Sequence, residues 1–279
     1  MGMQMVAGYT DHVAEARGVS FHWLEWGDPS APPMVVLHGL TGHAHIWDHM
    51  APALADRYHV IALDQRGHGD TSHPPTYTTQ DFVDDIEAMR EVWGLDRFVL
   101  MGLSMGGHNG MAYIAAHPER VTRAIIVDIP PRLEPAMWPG RDEQVRLAET
   151  GHGIYTDFEK LVDDARPDNP TAPEENLRYR THWNTRVAGD GTMQLKYDAR
   201  VQAAWVPEDL TAKLSLLACP VLLVRGGKTN TLSRERAEAM VAAMPDGELV
   251  EVADSGHSVP TDRPQDLAPI VMNWLARRG

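Results

Sequence analysis

The sequence predicts an α/β fold in which a mostly parallel sheet is flanked by helices. Short, continuous apolar runs recur along the chain, and such runs are typical of strands buried on both faces of a parallel sheet. Helical patterns alternate with these runs, as expected of strand–helix–strand units. The composition suits a folded domain, because 43% of the 279 residues are hydrophobic and 23% are charged. The main apolar runs are Met34–Leu37, Tyr58–Leu63, Phe98–Leu103, Val121–Val127 and Pro220–Gly226.

The first elements follow from turn and capping residues. Residues Tyr9–Trp26 alternate loosely in polarity and predict a hairpin of two strands that turns near Arg17–Gly18. After the first buried strand, a helical stretch is expected near Trp47–Ala55. Thr78 or Thr79 can cap the next and longer helix, because both side chains can accept a hydrogen bond from its first turn.

The pattern changes between about residues 132 and 212. Charged and aromatic residues mix there, prolines recur, and no buried strand is expected. Residues 163–175, which contain three prolines, predict a loop between short helices. We interpret residues 132–212 as a mostly helical cap inserted into a core that consists of residues 1–131 and 213–279.

The alternation of strands and helices resumes after the predicted cap. A strand at Pro220–Gly226 is followed by a helix that Ser233 can cap and by a strand near Glu248–Val252. A terminal helix is expected from about Pro264 to Arg277. With the strands before the cap, these elements predict a sheet of eight strands.

Charge and cysteine content exclude several classes of protein. The formal net charge of −14 argues against a nucleic-acid-binding surface and against a basic membrane-binding face. The single cysteine, Cys219, excludes an intrachain disulfide, which fits a reducing compartment. We recognise no signal peptide, and no apolar run approaches the ~20 residues of a membrane span. We expect a cytoplasmic protein with a small-molecule substrate, no nucleic-acid or membrane partner, and an oligomeric state that leaves a homodimer open.

A serine between glycines follows the apolar strand Phe98–Leu103. Ser104 is the central residue of Gly-Leu-Ser-Met-Gly at positions 102–106, and a helical pattern begins immediately after it. This motif between a strand and a helix predicts a nucleophile elbow, in which the turn is so tight that the flanking positions require glycine. The serine oxygen then points toward the positive end of the helix.

His257 is the candidate base for this serine. A serine hydroxyl is a weak nucleophile, so it needs a base, usually histidine, and a carboxylate that orients the base and stabilises its charge. Of the 14 histidines, His257 lies in a Gly-His loop after the last predicted strand, which returns to the carboxyl ends of the strands in this topology. The chain order Ser…Asp…His accompanies such an elbow.

Four motifs in this order resemble the α/β-hydrolase superfamily. They are His38-Gly39 after a strand, Asp-Gln-Arg-Gly-His-Gly at 64–69, the serine motif at 102–107, and Gly256-His257. The resemblance spans nearly the whole chain, with the cap as its least constrained part. It implies an α/β-hydrolase fold with an eight-stranded core and an inserted helical cap, and a capped, esterase-like serine hydrolase that needs no cofactor.

The acid is displaced relative to this family pattern. In most such hydrolases it follows the next-to-last strand in a Gly-x-x-Asp stretch, where this chain has Thr229. The best replacement is Asp128, because it ends the strand that should lie beside the strand of Ser104, and a minority of the superfamily resembles this arrangement. The alternative is that Asp128 only caps its strand and that the site has no acid. Asp254 is less favoured, because it lies three residues before His257 in the same loop.

The backbone N–H groups of Leu40 and Met105 are the predicted oxyanion hole. We expect Ser104 to attack the carbonyl of a carboxylic ester or lactone, with His257 as base and Asp128 as orienting acid. The open alternatives are an amide or C–C bond hydrolase acting on a small acidic substrate, and a cofactor-free dioxygenase. From a different class of protein, a ligand receptor with the same fold also stays open.

The histidines between His43 and His49 do not predict a metal site. Relative to the zinc pattern H-x-H-x-D-H, one extra residue separates His45 from Asp48, so the register is broken. An arginine of the cap that faced the pocket would suit a carboxylate-bearing substrate, and the candidates are Arg132, Arg141, Arg146, Arg178, Arg180 and Arg186. The predicted pocket residues are His38, His43, Trp47, Trp138 and Trp183.

Overall fold

The computed structural model describes residues 5–134 and 141–278, with side chains from Glu143 onward in the second range. Trp138, one of the predicted pocket residues, and the side chain of Arg141 lie outside the described residues. The strands are β1 (Thr10–Ala16), β2 (Val19–Trp26), β3 (Pro33–Leu37), β4 (His59–Leu63), β5 (Phe98–Leu103), β6 (Val121–Val127), β7 (Thr185–Val187), β8 (Met193–Leu195), β9 (Val221–Gly226) and β10 (Gly247–Val252). The helices are α1 (Ala51–Ala55), α2 (Thr79–Val92), α3 (Met105–Ala116), α4 (Arg141–Thr150), α5 (Phe158–Ala165), α6 (Glu174–Trp183), α7 (Val201–Ala204), α8 (Arg234–Ala243), α9 (Val259–Asp262) and α10 (Pro264–Arg277), with short 3-10 helices at Ala44–Trp47 and Thr211–Leu216.

One eight-stranded sheet has the strand order β1-β2-β4-β3-β5-β6-β9-β10. Strand β2 runs antiparallel to both of its neighbours, and every other neighbouring pair is parallel. The predicted hairpin is present, and its turn uses Arg17 and Gly18 at φ angles of 52° and 72°. The predicted mostly parallel sheet of eight strands flanked by helices is confirmed. Because β3, β5, β6 and β9 are parallel neighbours, the loops after them meet at one edge.

The two faces of the sheet pack against different helices. Along β5, Phe98 and Leu100 join a cluster that contains residues of α2, α3 and α8. Val99, Met101 and Leu103 point the other way and join a cluster with α1 and α10. This alternation follows from the two-residue period of a strand, and burial on both faces explains why β5 is apolar at every position.

Between β6 and β9, the described residues contain α4 to α7 and the two-stranded pair β7–β8. We use the name cap segment for the described residues between the predicted boundaries, 132 and 212. Apart from the buried Thr185, the residues of both strands are exposed or partly exposed, in keeping with the expectation that this segment has no buried strand. The loop predicted at 163–175 is shorter than expected, because α5 continues to Ala165 and α6 begins at Glu174. The cap boundaries, 132 and 212, stay a prediction.

Two sets of hydrogen bonds hold the cap segment on the core. On α6, the Tyr179 hydroxyl donates to Asp48, which is fully buried. Farther along the chain, the Tyr77 hydroxyl of the core donates to Asp198. The ammonium group of Lys196 also binds Asp70. The described helices include none that is long and apolar enough to cross a membrane.

A charged pair is buried beneath the loop that follows β4. His22 donates from Nδ1 to Asp64 at 2.6 Å, and the other ring nitrogen lies 3.2 Å from an oxygen of Asp11. The Asp64 carboxylate also accepts the backbone N–H groups of Ala44 and Asp70. Burial disfavours a charged imidazole, but the hydrogen bond and negative charge of Asp64, helped by Asp11, raise the pKa of His22 to about 9.

This pair makes stability depend on pH. Because the pKa of His22 is raised on folding, its contribution is complete below the unfolded value of about 6.5 and is lost as the pH rises through about 9. Between about pH 6.5 and about pH 9.5, we expect the free energy of unfolding to fall by about 3 kcal/mol more in the wild type than in His22→Gln. Urea titrations followed by tryptophan fluorescence measure this difference, and an identical pH dependence in the two proteins would contradict it.

Candidate active site

Ser104 lies in a strained turn between β5 and α3. Its φ and ψ angles are 51° and −118°, a conformation that non-glycine residues rarely adopt. A Cβ atom at Gly102 would lie 2.4 Å from the carbonyl oxygen of Gly106, and one at Gly106 would lie 2.4 Å from the carbonyl oxygen of Leu37. The glycines on either side of the serine are therefore required for β5, α3 and the end of β3 to approach so closely.

His257 bridges Ser104 and Asp128. Its Nε2 atom lies 2.9 Å from the Ser104 hydroxyl oxygen, and its Nδ1 atom lies 2.7 Å from an Asp128 carboxylate oxygen. Asp128 is fully buried, whereas the His257 side chain is 31% exposed and can be reached from outside. In the tautomer that these contacts favour, Nδ1–H donates to Asp128 and Nε2 accepts from the serine, which is the arrangement a base needs.

The Asp128 carboxylate is held by two further donors. One oxygen accepts the backbone N–H of Gly226 at 3.0 Å, and the other accepts the Thr229 hydroxyl at 2.6 Å as well as His257. The Thr229 oxygen in turn accepts the N–H of Thr231, which directs its proton toward Asp128. Thr229, at the position where the family pattern has the acid, thus donates to the carboxylate of Asp128, the predicted acid.

Asp254, the less favoured candidate for the acid, lies elsewhere. Its carboxylate is 3.0 Å from the ammonium group of Lys228, and both side chains are more than half exposed. The structure brings His257 into contact with Asp128 instead. This contact favours Asp128 as the orienting acid over a role confined to capping its strand.

The loop after β3 reaches the predicted oxyanion hole. A Cβ atom at Gly39 would lie 3.2 Å from the Cβ atom of Ser104, so this backbone passes directly beside the serine. Leu40 follows, and its side chain packs against the cluster that contains Met105. Met105 is the first residue of α3, where backbone N–H groups have no acceptor within the helix. The loop and the helix start thus meet at Ser104, and the two N–H donors stay a prediction.

His38 positions this loop. It is fully buried, Nδ1–H donates to the Gly39 carbonyl at 2.8 Å, and Nε2 accepts the backbone N–H of Gln65 at 3.0 Å. The Gln65 amide also donates to the His38 carbonyl and accepts from Asn109 on α3. Both ring nitrogens of His38 are therefore used by the protein, and burial lowers its pKa. The side chain offers a substrate no free polar atom.

The other predicted pocket residues have different surroundings. His43 is buried and donates from Nε2 to the carbonyl of Arg180 on α6, while its Nδ1 has no partner among the described residues. Trp47 is completely buried in the cluster with α1 and α10, which is a packing position. Trp183 at the end of α6 stacks on His45, with ring centroids 3.5 Å apart. His43 and Trp183 lie where the cap segment meets the core.

Two contributions to the site were not predicted from the sequence. The Thr229 hydroxyl donates to Asp128, and the Asn184 amide donates to the carbonyl of Thr41, one residue after Leu40. The first could have been suspected, because a threonine in place of the family's acid retains a donor suited to a nearby carboxylate. The second has no sequence signal, since it links residues 143 positions apart.

In the described part of the chain, one group of side chains has the types and the spacing of metal ligands. The ligand atoms of His22, Asp64 and Asp70 lie within 4.8 Å of one another. His22 and Asp64 are already hydrogen bonded to each other, and Lys196 binds Asp70. This group is accounted for by ion pairs. His45 donates to Asp48 at 2.9 Å, so it also has a protein partner.

Comparison with known proteins places the chain in a family. The sequence model of the α/β hydrolase fold matches residues 32–264, and the chain belongs to this family. It is 25% identical over 249 residues to the 2-(acetamidomethylene)succinate hydrolase of Mesorhizobium japonicum, with 88% of each chain covered. It is 27% identical over 282 residues to an esterase of Mycobacterium tuberculosis, with 98% of this chain and 92% of the relative covered.

A solved structure supports the same fold. The crystal structure of E-2-(acetamidomethylene)succinate hydrolase aligns with a TM-score of 0.85 and 24% identity, covering 96% of this chain and 99% of that chain. The family match and these relatives make the chain a hydrolase of the α/β fold. The esterase-like relative agrees with the resemblance seen in the sequence.

The hydroxyl of Thr229 is expected to affect the reactivity of Ser104. Because Thr229→Val removes the donor but keeps the shape, we expect labelling of Ser104 by a fluorophosphonate to slow by about 10-fold, the effect of one hydrogen bond to a charged group. Thr229→Ser keeps the hydroxyl and should label at nearly the wild-type rate. The rates are measured by gel fluorescence, and equal rates for the two variants would remove this role from Thr229.

Proposed function

We propose that this protein is a serine hydrolase that cleaves a carboxylic ester or a lactone through an acyl-enzyme. The observation that carries the proposal is the His257 imidazole, which lies 2.9 Å from the Ser104 oxygen and 2.7 Å from Asp128. The hydrolase relatives support the reaction class. The predicted cytoplasmic location and the homodimer are not needed for this proposal and stay predictions.

The mechanism follows from the contacts of each group. Ser104 attacks the carbonyl carbon while His257 Nε2 takes the hydroxyl proton, and Asp128 stabilises the resulting imidazolium through Nδ1–H. The negative oxygen of the tetrahedral intermediate accepts the N–H groups of Leu40 and Met105. His257 then protonates the leaving group, and the acyl group remains on Ser104. Water attacks by the same route in reverse and releases the acid.

Amide hydrolysis is the second candidate. The relative from Mesorhizobium japonicum is named for a substrate that contains an acetamide group and a succinate. The same three residues could cleave an amide, since His257 can protonate an amine as it leaves. We place the ester or lactone first, because the oxygen of an alcohol leaves with less help from protonation than the nitrogen of an amine. p-Nitrophenyl esters of graded chain length, tested beside lactones and the matching anilides, separate these substrates.

The nucleophile can be tested without knowledge of the substrate. We expect a fluorophosphonate to label the wild type on Ser104 and to leave Ser104→Ala unlabelled, because the activated hydroxyl is the attacking group. Mass spectrometry of the labelled peptide identifies the residue. A fold that served only as a ligand receptor, without an activated serine, would give no labelling, and that result would overturn the proposal.

The acid is tested by Asp128→Asn. The amide cannot stabilise the imidazolium and favours the wrong tautomer of His257, so we expect turnover of the best ester to fall by about 10⁴-fold with little change in folding. Asp254→Asn is the matched control, because that carboxylate is exposed and bound to Lys228. Steady-state kinetics and circular dichroism measure both effects. Near-normal turnover in Asp128→Asn would assign the orienting role elsewhere.

A further inference from the structure

A cavity lies between the cap segment and the loop after β3. Its volume is about 100 Å³. Arg180, in the last turns of α6, is the one arginine among the described residues that line the cavity. The lining residues that matter here are Thr41, Asp164, Asp168, Asn169, Arg180 and Tyr197.

Among the described residues, the hydrogen-bond partners of the Arg180 guanidinium are neutral. Its Nη1 atom lies 3.2 Å from the amide oxygen of Asn169 and 3.4 Å from the hydroxyl of Ser258. A guanidinium group has five N–H donors, so most of its donor capacity is left for another group. No carboxylate of the described residues lies within 4.0 Å of it, which distinguishes it from the other arginines whose side chains are described in the cap segment. These are paired as Arg132–Glu134, Arg146–Glu143, Arg166–Glu174, Arg178–Glu159, Arg186–Asp70 and Arg200–Asp198.

The carboxylates near Arg180 are directed elsewhere or exposed. Asp164 binds the ammonium group of Lys160 and the hydroxyl of Tyr155. Asp262 accepts hydrogen bonds from the Thr171 hydroxyl and from backbone. Asp168 is exposed at the cavity wall. Burial lowers the pKa of Arg180, and the charges of Asp168 and Asp262 oppose this effect. The guanidinium is therefore a partly buried cation that stays protonated.

Residues next to the candidate active site in the chain link it to the cavity at two points. Thr41, on its wall, follows Leu40 of the predicted oxyanion hole. Ser258, which lies beside Arg180, follows His257. A group held at Arg180 would therefore be close to both the base and the oxyanion loop.

We propose that Arg180 binds a carboxylate of the substrate, which makes the substrate a small ester, lactone or amide that carries a free carboxylate. This assignment rests on the proposed function for its reaction and on the cavity for its specificity. A planar guanidinium and a carboxylate form two parallel hydrogen bonds, which fixes orientation as well as charge. Since a cavity of ~150 Å³ can hold benzene, this smaller one admits a carboxylate and a short stem, and excludes a long acyl chain.

The first test compares a charged ester with its neutral counterpart. Mono-p-nitrophenyl glutarate and p-nitrophenyl pentanoate have acyl chains of equal length and differ at the far end by a carboxylate or a methyl group. We expect Arg180→Gln to lower kcat/KM for the glutarate ester by roughly 10- to 100-fold and for the pentanoate ester by less than 3-fold. The backbone carbonyl that His43 binds is retained in this variant.

Arg178→Gln is the matched control, because Arg178 lies on the same helix and is paired with Glu159. We expect it to leave both esters within 3-fold of the wild type. Equal losses on the two esters in Arg180→Gln would show a structural role and overturn the proposal. Unchanged hydrolysis of the glutarate ester would overturn it as well, and mono-p-nitrophenyl succinate repeats the comparison with a shorter stem.

A binding measurement separates this proposal from the reaction. In Ser104→Ala, we expect glutarate to raise Tm and neutral glutaramide to leave it unchanged, and the further change Arg180→Gln should abolish the glutarate effect. Asp168→Asn should lower the Kd of glutarate, because it removes a negative charge from the cavity wall. If glutarate binds through Arg180 but the fluorophosphonate never labels Ser104, the proposed acyl-enzyme reaction is wrong and the proposed carboxylate site stands. If Ser104 is labelled and glutarate binding ignores Arg180, the carboxylate site is wrong.

Discussion

The hydrogen bonds to the buried Asp128 carboxylate are the interactions on which the site depends. A carboxylate without access to water is costly unless its oxygens accept hydrogen bonds. Asp128 meets this requirement through three donors from two separate parts of the chain, Gly226 and Thr229 at the end of β9 and His257 after β10. The backbone N–H of Asp128 also donates to the carbonyl of Val224 on the neighbouring strand β9. The pairing of β6 with β9 therefore holds Asp128 where it contacts His257.

The cap segment contributes to the same site through α6. The side-chain amide of Asn184, directly after α6, donates to the carbonyl of Thr41, and His43 donates to the carbonyl of Arg180. Thr41 and His43 belong to the loop that passes beside Ser104. Thr41 has a φ angle of 61°, an uncommon conformation for a threonine, and the contact from Asn184 lies at this residue. The helix and the residue after it thus contact the loop after β3, and Arg180 of the same helix lines the cavity.

Much of the fold was predictable because its signals are local. The apolar runs of β3 to β6 and of β9 reflect burial on both faces of the sheet. The start of α2 after its N-cap residue Thr78 and the terminal helix Pro264–Arg277 follow from residues at the ends of these helices. The glycines around Ser104 are required by contacts within a few residues and with one neighbouring strand. The loop predicted at 163–175 was too long, because prolines mark helix starts as well as loops, and α6 begins directly after Pro173.

The sequence by itself determined the strands, the strained serine turn and the three residue types needed for a base-assisted nucleophile, since these depend on short-range patterns and on chemistry. Only the tertiary structure decided that Asp128 meets His257, that the Thr229 hydroxyl donates to Asp128, and that the described hydrogen-bond partners of the Arg180 guanidinium are neutral. The contacts His257–Asp128, Thr229–Asp128 and Arg180–Ser258 join residues that are 129, 101 and 78 positions apart in the chain. They arise from strand order and from the packing of the cap segment on the core, which no local pattern encodes.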